Sequence, residues 1–180
     1  GAGNVGFFMV TPDLRFPQGT TRAAQQADFK VQDCEVAGLL SCKRYFTNRP
    51  NGSDQYTGVS WGWSNYDFNR FHSWVTKGDA GNPRNGPLLV YPKTALDMLQ
   101  AEGLIRKGQF AQAAALINLT REKNGLPPIT AFDATSAVPG GANCVPRVPT
   151  PPTASSVVCG NMFEAMKWEK RMEEAYVLFA

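Results

Sequence analysis

The sequence predicts a mainly α chain in which a helical hairpin forms a scaffold and an irregular, loop-rich lobe with a few short strands is joined to it. Three observations lead there. Residues 94–128 hold two apolar-periodic runs separated by Gly108, residues 161–180 hold a third, and prolines and glycines crowd the stretches 11–19, 77–87 and 129–160. The chain is therefore read as part of a single domain. It has an irregular, aromatic-rich lobe over 1–87, the hairpin over 88–128, a Pro/Gly-rich loop over 129–160 and a late helix over 161–180.

Its 180 residues suffice for one domain with a proper core, or for part of a larger one. Lys plus Arg number 18 against 15 for Asp plus Glu, a net charge of +3, and the basic residues are scattered rather than clustered. That pattern argues against a nucleic-acid interface. The apolar run GFFMV at 6–10 is far shorter than the roughly 18 residues of a membrane span.

In chain order, the apolar run within 1–10 reads as a strand, and the turn-rich TPDLRFPQG at 11–19 reads as a connector. FKVQDCEV at 29–36 alternates apolar and polar residues as a half-buried strand does, and 42–47 is a second candidate. Cys34, Cys42, Cys144 and Cys159 permit three pairings. The local one, Cys34 with Cys42 and Cys144 with Cys159, is favoured because each pair flanks a loop, and it points to an oxidising compartment. A zinc site is the rival, but there is no CxxC and the lone His72 is distant in sequence. No metal or cofactor is expected. Residues 47–58 are polar around the turn Pro50-Asn51-Gly52. The sequons at Asn51 and Asn118 are taken as chance, the second because it falls inside a helix.

The most unusual composition is VSWGWSNYDFNRFHSWV at 59–75. A sugar ring packs its C–H face on an aromatic ring while its hydroxyls bond polar groups at the edge. Trp61, Trp63, Asn65, Tyr66, Arg70 and Trp74 are accordingly the ligand-binding candidates. The same aromatics also suit a core, in which Trp61 and Trp63 share one strand face and Phe68 and Phe71 are buried at helical spacing. His72, without a partner at suitable spacing, reads as structural.

Thr94, after Pro92, is expected to cap the first hairpin helix, with Asp97 reaching back as a short capping box. Leu96, Leu99, Ala101, Gly103, Leu104 and Ile105 form its apolar stripe. Gly108 supplies the left-handed turn, and Phe110, Ala113, Ala114 and Ile117 form the stripe of the second helix. Asn124-Gly125 and then Pro127-Pro128 end that helix. Small residues at 101, 103, 113 and 114 permit close approach beside Phe110, which is the logic of a tetratricopeptide unit, present in one copy. An ordinary helical hairpin remains the alternative.

The 129–160 stretch needs a Cys144–Cys159 bridge to close its second half. The late helix starts at Asn161 as N-cap and aligns Met162, Ala165, Met166, Glu169, Met172 and Tyr176 on one face. A carboxylate inside an apolar stripe requires a partner, for which Arg121 or a residue outside this chain is the candidate. No second carboxylate or nucleophile marks Glu169 as catalytic, and no catalytic residue is assigned. The helix reaches Ala180 without a cap, so the sequence is expected to be a piece of a longer chain.

Two motifs carry a family resemblance. Met98-Leu99-Gln100-Ala101-Glu102-Gly103, Gly108, and the run from Ala113 through Ile117-Asn118 to Arg121 match a helix, a glycine turn and an A-x-x-x-I-N-x-x-R helix, followed by the exit Leu126-Pro127-Pro128. Further on, Glu169-Lys170-Arg171 with Glu173 matches a late E-K/R-R-x-E helix. In this order they resemble the C-terminal part of the SusD/RagB family of outer-membrane nutrient-binding lipoproteins. Asp13-Leu14-Arg15-Phe16-Pro17 more loosely resembles a segment upstream of those helices. The resemblance implies a tetratricopeptide-like, SusD-like α scaffold on the outer surface of the outer membrane, held by a lipid anchor outside this chain. It further implies a non-enzymatic protein that binds an oligosaccharide or other nutrient and passes it to a SusC-type TonB-dependent transporter. A tetratricopeptide-type scaffold that binds only protein is the alternative.

Overall fold

The structure, a computed structural model, describes residues 9–28, 44–48, 66–71, 82–86, 90–150 and 156–175. These residues are mainly helical, with a few short strands. The chain divides into two compact units, Gly1–Leu88 and Leu89–Ala180, a boundary that falls at the end of the proline- and glycine-rich 77–87 stretch.

Unit 1 contains helix α1 (Arg22–Asp28) and the strands β1 (Phe46–Asn48) and β2 (Tyr66–Phe68). The strands pair antiparallel, with Phe46 opposite Phe68 and Asn48 opposite Tyr66. Cross-strand aromatic packing follows directly: Phe46 and Phe68 lie 5.4 Å apart edge to face, and Phe68 meets Phe71 at 6.0 Å. Phe16 stacks on Phe46 at 4.6 Å and takes the edge of Tyr66 at 6.3 Å. The 11–19 stretch is therefore more than a connector. Asp13, Arg15 and Phe16 are buried, because the Asp13 carboxylate accepts from Arg15 Nε at 2.9 Å and Nη2 at 2.7 Å and so brings the charge in neutralised. Helix α1 has a weak sequence signal, Thr21, whose Oγ1 accepts from Ala24 N at 3.2 Å. The strand read at 29–36 lies outside the described residues, as do Cys34 and Cys42.

Unit 2 packs three helices, α2 (Lys93–Arg106), α3 (Phe110–Lys123) and α4 (Met162–Glu174), each against the other two. Between α3 and α4 the chain forms a 3-10 turn (Gly141–Asn143) and an antiparallel hairpin of β3 (Arg147–Pro149) and β4 (Val157–Cys159). The core joins Met98 and Ala101 of α2, Ala113, Ala114 and Ile117 of α3, and Met162, Ala165 and Met166 of α4. Both α2 and α3 end on a glycine at positive φ, Gly108 at 72° and Gly125 at 73°. Each end carries the same paired bonds. Gln109 N donates to Leu104 O and Gly108 N to Ile105 O, while Leu126 N donates to Arg121 O and Gly125 N to Glu122 O.

Several expectations for unit 2 are corrected. Pro92, extended at φ −75° and ψ 145°, is the N-cap of α2, so Lys93 opens the helix and its ammonium takes Asp97 at 2.7 Å, leaving Thr94 no capping role. The buried stripe of α2 is Ala95, Met98 and Ala101, whereas Leu96 and Leu99 are more than half exposed. Gly103 is exposed too, with nothing near the position a Cβ would take. A helix held between two others needs small side chains where both neighbours close in, and the alanines meet that need. On α4 the buried row runs Met162, Ala165, Met166, Glu169 and Glu173, and Met172 is only half-buried. The 129–160 loop is closed as expected by the Cys144–Cys159 disulfide, with Cα atoms 5.7 Å apart, and its second half is the β3–β4 hairpin.

Candidate functional site

Of the six ligand-binding candidates, Trp61, Trp63, Asn65 and Trp74 lie outside the described residues. Tyr66 and Arg70 are placed, and both are engaged within unit 1. The Tyr66 hydroxyl donates to Gln25 Oε1 at 2.8 Å and accepts from Met9 N at 3.0 Å. Gln25 is fully buried and donates to Met9 O at 2.7 Å and Gly19 O at 3.1 Å, while Asn48 Nδ2 donates to its Oε1 at 3.1 Å. Its side chain thus joins α1, β1, β2 and the N-terminal segment. A single glutamine in an unremarkable run gives no sequence signal for that role. The Arg70 guanidinium lies over the Tyr45 ring at 4.5 Å and near Phe71 at 5.5 Å, and the residue is 4% exposed. Cation–π contact replaces part of the hydration that a guanidinium loses on burial.

Unit 2 buries a second polar centre. Arg121 Nη1 donates to Val145 O at 2.8 Å, Nε donates to Pro127 O at 3.1 Å, and Glu169 Oε1 stands 3.9 Å from Nη1. Arg121 and Glu169 are both fully buried. One guanidinium therefore gathers α3, the exit from α3, the approach to β3, and α4. Asn118 adds a two-way clasp, accepting from Ile129 N at 2.8 Å and donating to Ile129 O at 3.1 Å. Its sequon asparagine thus serves the backbone of the exit segment.

A cleft of about 340 Å³ opens between β3 and α4. The run from Pro146 to Pro149 forms one wall, and Glu164, Trp168 and Arg171 form the other. The three α4 residues follow i, i+4, i+7 spacing and so share one helix face. Gly160 sets how closely the walls approach: a Cβ there would sit 2.8 Å from Glu164 Cβ and 3.1 Å from Pro146 Cγ. Glu164 N is capped by Asn161 Oδ1 at 3.1 Å, which fixes the start of α4, and the Glu164 carboxylate meets Lys167 Nζ at 2.8 Å. The cleft has little signature in the sequence. The spacing of Glu164, Trp168 and Arg171 was visible, but the opposing wall comes from a proline-bracketed stretch without periodicity.

Among the described residues, no group of three or more His, Cys, Asp or Glu side chains is arranged to hold a metal ion. No helix among them is long and apolar enough to cross a membrane. No protein-family model, curated protein or solved structure matches the chain.

Proposed function

We propose that this chain is part of a SusD/RagB-type surface protein that captures an oligosaccharide or other nutrient without transforming it. On this reading it works at the outer face of the outer membrane and delivers its ligand to a SusC-type TonB-dependent transporter. One observation supports it above the others. The two stretches that carry the resemblance are far apart in the sequence, yet Arg121 of the first and Glu169 of the second meet in the core at 3.9 Å. Motifs that only happened to follow one another would have no reason to share a buried ion pair.

The test is calorimetry against a panel of oligosaccharides, with Trp61, Trp63, Tyr66 and Trp74 singly changed to Ala, together with co-purification with a TonB-dependent transporter. The expected result is measurable affinity for at least one glycan, lost in one or more variants, and a stable complex with the transporter. Unchanged affinity in all four variants removes the aromatic site, and the absence of both glycan and transporter binding overturns the reading. The exposed Leu96 and Leu99 on α2 favour a second reading, a tetratricopeptide-type scaffold for a protein partner. A stable protein complex formed with no small ligand, and weakened by Leu96→Ser with Leu99→Ser, is its signature.

A further inference from the structure

The β3–α4 cleft combines a defined volume with an uneven set of charged side chains. Its volume of about 340 Å³ lies at the lower end of the roughly 300–1,000 Å³ range of small-molecule sites, which suits one or two sugar rings rather than a long chain. Its polar groups are unbalanced in charge. Arg147 enters from β3 and Arg171 from α4, while Glu164, the one carboxylate among the described lining residues, is already paired with Lys167 at 2.8 Å. The cleft is therefore net cationic. Trp168 and the flanking prolines add apolar surface to the lining.

The site is also built to hold its shape. Arg147 sits directly opposite Cys159 in the β3–β4 ladder, and Cys159 is tied to Cys144 by the disulfide. Gly160 N donates to Pro146 O at 2.9 Å, closing the hairpin base, and Val138 N donates to Gly160 O at 2.8 Å, tying that base to the preceding segment. Opposite, Asn161 caps α4 and donates to Ala134 O at 3.0 Å. Groups held on a strand and a helix present a ligand with little reorganisation.

We propose that the β3–α4 cleft is a subsite for an anionic pyranose, a sugar residue bearing a carboxylate or sulfate. Trp168 meets the apolar ring face, and Arg147 and Arg171 take the anionic group through their planar, multiply donating guanidiniums. The anion preference stands on the cleft alone. The choice of a saccharide rests on the nutrient-binding reading of the chain.

Titration calorimetry on the 180-residue chain tests it with four probes: a glucuronate-containing disaccharide, its neutral glucose counterpart, the 6-sulfated counterpart and a diglutamate peptide. The expected result is that the uronate or sulfated disaccharide binds about tenfold or more tighter than the neutral one. Arg147→Gln and Arg171→Gln each weaken that binding about tenfold, in keeping with a charge-assisted hydrogen bond, and added salt weakens it further. Both arginines are exposed, so the melting temperature of either variant stays at the parent value. Preference for the sulfated over the uronate probe supports the subsite and assigns the anion. Equal affinity for neutral and charged sugars, or affinity unmoved in both variants, overturns the proposal. Tighter binding of diglutamate overturns the sugar assignment. The two readings fail separately: cleft binding that persists when no neutral glycan binds sinks only the aromatic site, and neutral binding without anionic preference sinks only the cleft.

Discussion

Each unit buries an arginine together with a carboxylate, and the two pairs are built on opposite plans. In unit 1 the partners are two residues apart, and the carboxylate is the hub: Asp13 Oδ1 accepts from Arg15 N at 3.0 Å and Nε at 2.9 Å, and Oδ2 accepts from Nη2 at 2.7 Å. The product is a tight local turn that delivers Phe16 to the aromatic core. In unit 2 the partners come from different helices and the guanidinium is the hub, donating to the carbonyls of Val145 and Pro127 and standing 3.9 Å from Glu169. The product is a tertiary clasp. The same two chemical groups therefore do local work in one unit and long-range work in the other, and geometry rather than charge decides which.

The largest effects come from breaking each hub. Arg121→Met strips two carbonyls of their donor and removes the cation that faces the buried Glu169, so unit 2 is expected to lose about 3–5 kcal/mol. Glu169→Gln keeps the shape and both carbonyl bonds, and its loss is expected to be smaller. In unit 1 the order reverses: Asp13→Ala is at least as costly as Arg15→Met, because the carboxylate serves the Arg15 backbone as well as its side chain. Hydrogen exchange during denaturant titration checks this, since α4 amides report on unit 2 and α1 amides on unit 1. A Glu169→Gln loss equal to that of Arg121→Met would show that the charge pair, and not the carbonyl bonds, carries the clasp.

The disulfide is the next test of that clasp. Cys144 and Cys159 are 15 residues apart, and a loop of that length predicts a loss of about 3 kcal/mol when both become alanine. Val145, whose carbonyl accepts from Arg121, directly follows Cys144. Without the bridge that carbonyl is held less firmly, so part of the benefit of Arg121 should vanish with it. In a double-mutant cycle the two losses are expected to be sub-additive by about 0.5–3 kcal/mol. Strict additivity would separate the disulfide from the clasp.

What the sequence made legible follows the range of the physics involved. The ends of α2 and α3 were readable at Gly108 and Gly125 because a left-handed residue is a local requirement that glycine meets. That Glu169 needs a cation was readable because a carboxylate in an apolar stripe demands one, but the sequence left Arg121 as one of two possible sources. The buried face of α2 was not, since Leu96 and Leu99 repeat with the same helical spacing as Ala95 and Met98, and periodicity alone cannot choose between two apolar rows. Nor was the Gln25 network, whose partners Met9, Asn48 and Tyr66 are 16, 23 and 41 positions away. Of the candidate sites, the aromatic lobe announced itself by composition. The β3–α4 cleft did not, because one of its walls is a short strand between prolines.

The smallest effect completes the contrast between buried and exposed charge. Arg106 Nη2 meets Glu102 Oε1 at 2.6 Å one turn along α2, where the arginine is 65% exposed. The hydrogen bond from Arg106 is the main cause that holds the Glu102 carboxyl below its ordinary value of 4.5, with the charges of Arg106, Lys170 and Lys167 adding to it and partial desolvation opposing it. A carboxyl depressed on folding contributes its stability in full above the ordinary value and loses it as pH falls through the folded one. Solvent screening limits that contribution to the roughly 0.3–0.5 kcal/mol of an exposed i,i+4 pair. Glu102→Gln should therefore cost no more than about this at pH 7, less at high salt, and nothing at a pH below the folded pKa. The Arg121→Met loss should barely respond to salt, because neither Arg121 nor Glu169 touches solvent. Equal salt sensitivity at the two sites would mean that water reaches the clasp and that its guanidinium is not the buried hub described above.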